Sequence, residues 1–313
     1  MKRITAIILS AVFLAALLCG CKPDNDKNDD RVNVVTTIFP PYDFVRQVGG
    51  DNVNVSMLLK PGTESHNYDP TPQDIIKIQD ADIFIYVGGE SDEWVREILE
   101  ADDKQPKKVI ALTDCVDTVQ EDITTGMTVE DENDSDKIEY DEHVWTSPQN
   151  ALTISRKITE VLEELDSKNK KSYEKNMLEY ARELSSLDND FKEAVDNAKN
   201  KTLIFGDRFP MRYFADEYGL GYFAAFPGCS SDMEPSAATI SFLINKVREK
   251  KIPVVFTIEF SNGKVADTIC EATGAKKLEF HSCHNVSQKM FDDGATYISI
   301  MRTNLKNLKE ALG

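Results

Sequence analysis

Two α/β lobes of four strands each, joined by a long helix, are the fold this sequence predicts, on three observations. Short apolar runs alternate with amphipathic stretches from residue 32 to 112, and the same alternation returns from residue 202 to the end. Between them, residues 151–199 contain no Gly or Pro and carry a single apolar stripe. Strands that alternate with helices imply parallel sheets covered on both faces.

In the first half the strands are VNVVTTI (32–38), VNVSMLL (53–59), DIFIYVG (82–88) and KVIAL (108–112). The intervening helices start at Pro41 and close at Gly49-Gly50, open at Thr71-Pro72, and run from Asp92 to Ala101. The second half repeats this with TLIF (202–205), a helix to Gly219, YFAAF (222–226) and a helix from Pro235 to Lys250. VVFTIEF (254–260), a helix closed by Gly274, KLEF (277–280) and a last helix from Phe291 complete it. No sequence repeat relates the halves. Residues 147–165, SPQNALTISRKITEVLEEL, read as one linking helix. A second, from Ser167 to Lys199, would extend roughly 50 Å at 1.5 Å per residue. Its stripe is Tyr173, Met177, Tyr180, Leu184, Leu187 and Phe191, recurring at three and four. A rod holding two lobes at fixed separation and a bundle helix both fit it. Residues 114–142 are crowded with carboxylates and read as a surface loop, either collecting cations or merely solvated.

The N-terminus is an address. Lys2 and Arg3, an apolar run from Ile4 to Leu18 and small residues before Cys21 form a signal peptide. Leu18-Cys19-Gly20-Cys21 resembles a bacterial lipobox, which makes Cys21 the expected lipidated N-terminus and residues 22–31 a polar tether; a plain secreted protein is the alternative. The expected parts are signal peptide 1–20, tether 21–31, N-terminal lobe 32–150, helical linker 151–200 and C-terminal lobe 201–313. Across the 313 residues, 36 Lys+Arg stand against 54 Asp+Glu, a formal charge of -18. That balance excludes phosphate backbones as partners and favours cations.

Only four histidines occur, His66, His143, His281 and His284. His66 precedes a helix with Thr71 as cap and Pro72 at its first position; His143 precedes one with Ser147 and Pro148 in those places. His281 follows the strand KLEF. In α/β sheets, loops beyond the carboxyl ends of strands gather ligands, so these imidazoles are candidates for one metal. Neutral imidazole suits Zn, Mn, Fe, Ni or Cu, and a carboxylate offsets the cation's charge. Asp207, directly after TLIF, is the expected acid, with Glu259 as substitute.

PGTESHNYDPTPQDI, DEHVWTSPQNA, the long helix and VVFTIEFSNGKVADTICEATGA resemble the metal-binding lipoproteins of bacterial zinc and manganese ABC importers, across essentially the whole mature chain. The resemblance implies one Zn(II) or Mn(II) in an interlobe cleft, usually on three histidines and an acid. His66 and His143 match the first two histidines. Gly206-Asp207-Arg208-Phe209 stands where a third is usual, and His281 where the final acid is usual. An exchange of acid and imidazole would keep His66, His143, Asp207 and His281 as ligands. Here the insertion before the second histidine is acidic rather than histidine-rich.

Four cysteines remain beyond Cys21: Cys115, Cys229, Cys270 and Cys283. Cys229 and Cys283 both follow predicted strands and form the expected disulfide. Cys283 as a thiolate ligand is the alternative, which would favour zinc. Cys270 reads as a small buried hydrophobe, and His284 as a hydrogen-bonding neighbour or a further ligand. The expectation is a monomeric extracytoplasmic lipoprotein that binds a divalent metal, Zn(II) before Mn(II), and delivers it to an ABC permease and its ATPase, with no catalysis. A zinc-dependent hydrolase and a surface adhesin are the competing readings. No GxSxG elbow, HExxH helix or Gly-rich phosphate loop is present.

Overall fold

Central strands rich in Val, Ile and Phe build two parallel four-stranded sheets, with the more polar β2 and β8 at their edges. One contains β1 (Val32–Thr36), β2 (Val53–Met57), β3 (Ile83–Tyr86) and β4 (Lys108–Ala111), in the order β2-β1-β3-β4. The other contains β5 (Thr202–Arg208), β6 (Gly221–Phe226), β7 (Val254–Thr257) and β8 (Lys276–Glu279), in the order β6-β5-β7-β8. Val34 pairs with Val55 on one side and Ile83 on the other, which fixes the first register. In both sheets the order reverses beside the first strand, so each has a switch point at the carboxyl ends, between β1 and β3 and between β5 and β7. This computed structural model describes residues 30–63, 68–101, 104–128, 140–228 and 234–313. Residues 32–313 form one compact unit.

The helices begin where the caps require. α1 (Phe39–Gly49) has proline in its first turn, and α2 (Pro72–Asp80) opens on a capping box between Thr71 and Asp74. After α3 (Glu93–Ala101), the Ser147 hydroxyl accepts from Asn150 N to cap α4 (Pro148–Leu165). The linking helix α5 (Lys170–Asp196) has 27 residues, about 40 Å and shorter than predicted. Its expected first turn is instead a 3-10 turn, Ser167–Asn169, held by the Asp166 carboxylate, which accepts from Asn169 Nδ2 and the Tyr173 hydroxyl, both at 2.7 Å. All six stripe residues are buried. They pack on α1, α4 and the C-terminal helix, so the rod is part of the body.

In the second lobe, α6 (Arg212–Tyr218) ends at Gly219 in the left-handed conformation, and α7 (Ala237–Lys250) and α8 (Lys264–Thr273) cover the outer face. β5 runs three residues beyond its predicted end, because Gly206 lets strand and helix approach: a Cβ there would meet the Ala266 backbone at 2.6 Å. β7 is shorter than predicted, and Ile258, Glu259 and Phe260 leave the sheet for the cleft. The expected last helix is two, α9 (Gln288–Asp292) and α10 (Tyr297–Leu312), separated where Gly294 takes a positive φ and Thr296 caps the second.

One apolar core runs through both lobes, with Phe44 and Tyr297 meeting edge-on at 5.2 Å between centroids. Smaller cores lie under the outer faces, around Ile78 and Phe84 in one lobe and Leu243 and Ile269 in the other. The acidic stretch is not simply a free surface loop. Its described part lies on the C-terminal lobe: Thr128 N donates to Ala225 O at 2.9 Å, Tyr222 OH to Asp122 at 3.0 Å, and Gly126 sits against Phe242. Residues 129–139 lie outside the described residues, as do the signal peptide and Cys21. Among the described residues, no helix is long and apolar enough to cross a membrane.

Candidate metal centre

The carboxyl ends of the strands meet at a pocket lined by Thr63, His143, Arg208, Glu259, Ser282 and His284, among others. Its void is about 20 Å³, room for one ion or one water. His143 enters from the segment between β4 and α4 and is fully buried. Its Nδ1 lies 3.0 Å from Asp141 Oδ1, which also accepts from His143 N at 2.8 Å. A carboxylate on one ring nitrogen fixes the tautomer and leaves Nε2 as the basic face, the usual support of a metal-ligating histidine. Burial, the largest influence, works against the charged imidazole, but the Asp141 charge and hydrogen bond together with the Glu142 and Glu121 charges outweigh it and raise the His143 pKa above its ordinary value.

His284 faces His143 across the pocket, ring centroids 5.5 Å apart and nearly perpendicular. Trp145 stands beside both, at 5.4 and 5.0 Å, and its Nε1 donates to Ser282 O at 2.8 Å. Glu259 is buried on the pocket wall. Its Oε2 accepts from Ser282 N at 2.7 Å and its Oε1 from the Ser282 hydroxyl at 2.5 Å. The carboxylate is thus aimed by two bonds to the loop that carries His284.

The remaining expectations fare differently. His281 is buried but is not on the pocket wall. Its Nδ1 accepts from Cys283 N at 2.9 Å, which puts the proton of the neutral ring on Nε2 and leaves no lone pair there for a metal. Asp207 is likewise off the wall; its carboxylate accepts from Arg208 N at 2.9 Å and hydrogen-bonds Ser261, while burial raises its pKa. Arg208, one residue on, reaches the pocket in its place. His66 lies outside the described residues. Among the described residues no group of three or more His, Cys, Asp or Glu side chains stands together as a metal site.

Cys283 corrects both expectations made for it. It is a free thiol, so no bridge joins it to Cys229, which itself lies outside the described residues. It is fully buried in the shared core and absent from the pocket wall, and burial, with the Glu259 and Asp43 charges, pushes its pKa well above the ordinary value. Cys283 has φ +65°, a left-handed turn that separates a sulfur buried in the core from His284 on the pocket wall. Cys270, expected to be a buried small hydrophobe, is half-buried against the outer core. Sequence reasoning missed Asp141, Trp145 and Ser282; the run Asp141-Glu142-His143 was the one available signal.

Residues 34–311 match the family described as zinc-uptake complex component A, periplasmic. The high-affinity zinc uptake system protein ZnuA of Bacillus subtilis is 33% identical over 308 residues, 97% of this chain and 96% of that protein. The zinc-binding lipoprotein AdcA of Streptococcus pneumoniae is 33% identical over 316 residues, 99% of this chain but 61% of AdcA, so the chain spans less than two thirds of that relative. The Zn(II)-bound ZnuA-like domain of AdcA superposes with a TM-score of 0.74 at 33% identity, over 90% of this chain and 99% of that domain. The metal-dependent lipoprotein YcdH of Bacillus subtilis gives 0.76 at 32%, over 90% and 100%. With a match across nearly its whole folded body, a two-lobed parallel fold and imidazoles gathered at the cleft, the chain belongs to the family of zinc-uptake complex component A, periplasmic.

Proposed function

We propose that this protein captures one Zn(II) ion outside the cytoplasmic membrane, anchored there through lipid on Cys21, and hands it to an ABC permease driven by a separate ATPase. The ion is cargo. The observation that carries the reading is that His143 and His284, their ring centroids 5.5 Å apart, line one ion-sized pocket together with Glu259. His66 belongs to the four residues that join Thr63, on that pocket, to Tyr68, on a neighbouring cavity which His284 also lines, so the chain can bring it within reach. We therefore assign His66, His143, His284 and Glu259 as the donors, in preference to Asp207 and His281.

Three neutral imidazoles and one carboxylate suit zinc, and the affinity order for such a set places zinc above manganese. Four protein donors close the coordination shell and leave no open position for an activated water, which separates carriage from hydrolysis. Binding needs deprotonated imidazoles, so acid releases the ion.

Titration calorimetry on metal-stripped protein tests the assignment. One zinc per chain is expected, with at least 100-fold weaker affinity in His143→Ala, His284→Ala and Glu259→Ala. Asp207→Ala and His281→Ala should stay within about tenfold of wild type. The opposite ranking would return the site to Asp207 and His281, and turnover of ester or peptide substrates by the zinc-loaded protein would contradict the carrier reading.

A further inference from the structure

We propose that Phe260 is the gate of the metal pocket: its ring closes the rim and sets how fast the ion enters and leaves without taking part in holding it. The inference rests on the zinc-binding reading above. Phe260 is 46% exposed, yet it lines the same pocket as His143, Glu259 and His284. Its φ is +59°, a conformation that a bulky side chain avoids because Cβ crowds the backbone. Strained residues persist where their neighbours over-determine them, and they cluster at ligand clamps.

Both neighbours here are clamped. Glu259 on one side is held by Ser282 N and the Ser282 hydroxyl. On the other side Ser261 hydrogen-bonds the Asp207 carboxylate, and its hydroxyl oxygen accepts from Gly263 N at 3.1 Å. Those anchors pin the chain on each side of Phe260, so the intervening residue is forced into the left-handed region with its side chain at the mouth. Glycine would fit that backbone better, and a polar residue would suit an exposed rim better. A phenylalanine that runs against both preferences is explained by what its ring covers. The same clamp gives Asp207 a structural task in place of the ligand role expected from sequence. Phe260 offers no donor atom to a metal, so its contribution is kinetic.

The test is stopped-flow kinetics on the full-length protein, with zinc binding followed by Trp145 fluorescence and release driven by excess chelator. Phe260→Ala and Phe260→Gly should each raise the association and dissociation rates together, at least tenfold, with Kd unchanged within twofold. Phe260→Tyr, which keeps the ring, should match wild type, and Phe260→Gly should also melt higher because the strain is gone. Unchanged rates in the Ala and Gly variants would overturn the gate. So would a weakened Kd arising from dissociation alone, which would make the ring a buttress for Glu259. Wild-type protein that binds no zinc would instead overturn the functional reading, and the gate with it.

Discussion

Asp141 decides what His143 can do. With its carboxylate on Nδ1, the imidazole presents Nε2 to the cleft, and removing that partner frees both tautomer and ring orientation. Asp141→Asn should therefore weaken zinc binding by 10- to 100-fold while leaving the fold intact, measured by calorimetry beside a circular dichroism melt. Cys283 gives a second expectation at this scale. Its thiol is enclosed in the core, so a thiol reagent should fail to modify it in native protein and react fully once the chain is unfolded in guanidinium. His143 was legible in the sequence because Ser147 and Pro148 mark a helix start just beyond it. Which of His281 and His284 lines the pocket was not, since the left-handed turn at Cys283 divides them and nothing in the linear order His281-Ser282-Cys283-His284 announces that turn.

At the scale of elements, three helices meet over a pair of acids, Asp188 buried and Glu217 half-buried. Glu217 on α6 accepts from the Ser147 hydroxyl that caps α4, and it adjoins Asp188 on α5. Asp188 accepts from Gln149 and Lys192, both at 2.6 Å, and from Tyr218 OH at 3.1 Å. Burial first, and then the Asp188 charge, raise the Glu217 pKa from 4.5 to about 7. Between those two values the folded protein keeps a proton that the unfolded chain gives up, so this group's contribution to stability is complete below about pH 4.5 and is lost as pH rises through 7. Asp188, whose pKa is lowered, contributes in the opposite sense and only at more acid pH. Glu217→Gln, an amide that mimics the protonated acid, should flatten the decline in urea-measured stability between pH 5 and pH 8; an unaltered decline would place the proton elsewhere. β5 carries another expectation. Gly206→Ala drives a methyl group into the Ala266 backbone and should cost about 1–3 kcal/mol in the same assay. Strand and helix types followed from period and caps, whereas the extension of β5 and the early end of β7 came from tertiary contacts that no local pattern contains.

For the whole molecule, the shared core and the acidic strap limit how far the lobes can part. Residues of both lobes surround Tyr297, and Tyr297 N donates to the buried Asp43 carboxylate at 2.7 Å. Asn285 of the second lobe donates to Lys60 O and Thr63 O of the first, each at 2.8 Å. A site supplied from both halves of such a body should couple metal to folding: zinc at 100 times its Kd should add about 2.7 kcal/mol of stability, seen as a raised melting temperature that chelator reverses. The two-lobe plan was readable from alternating strands and helices because each sheet is buried on both faces and must be written in apolar runs. The strap was not, because its acidic composition is that of a solvated loop and its anchors, Thr128, Asp122 and Gly126, pair with residues about a hundred positions away.

The most direct test of the central claim is an anomalous-difference map from crystals of the zinc-loaded protein. One peak is expected in the cleft, about 2.0–2.2 Å from His143 Nε2, a His284 ring nitrogen and a Glu259 oxygen, with His66 as the fourth donor. A peak ringed by Asp207 and His281, or none between the lobes, would contradict it.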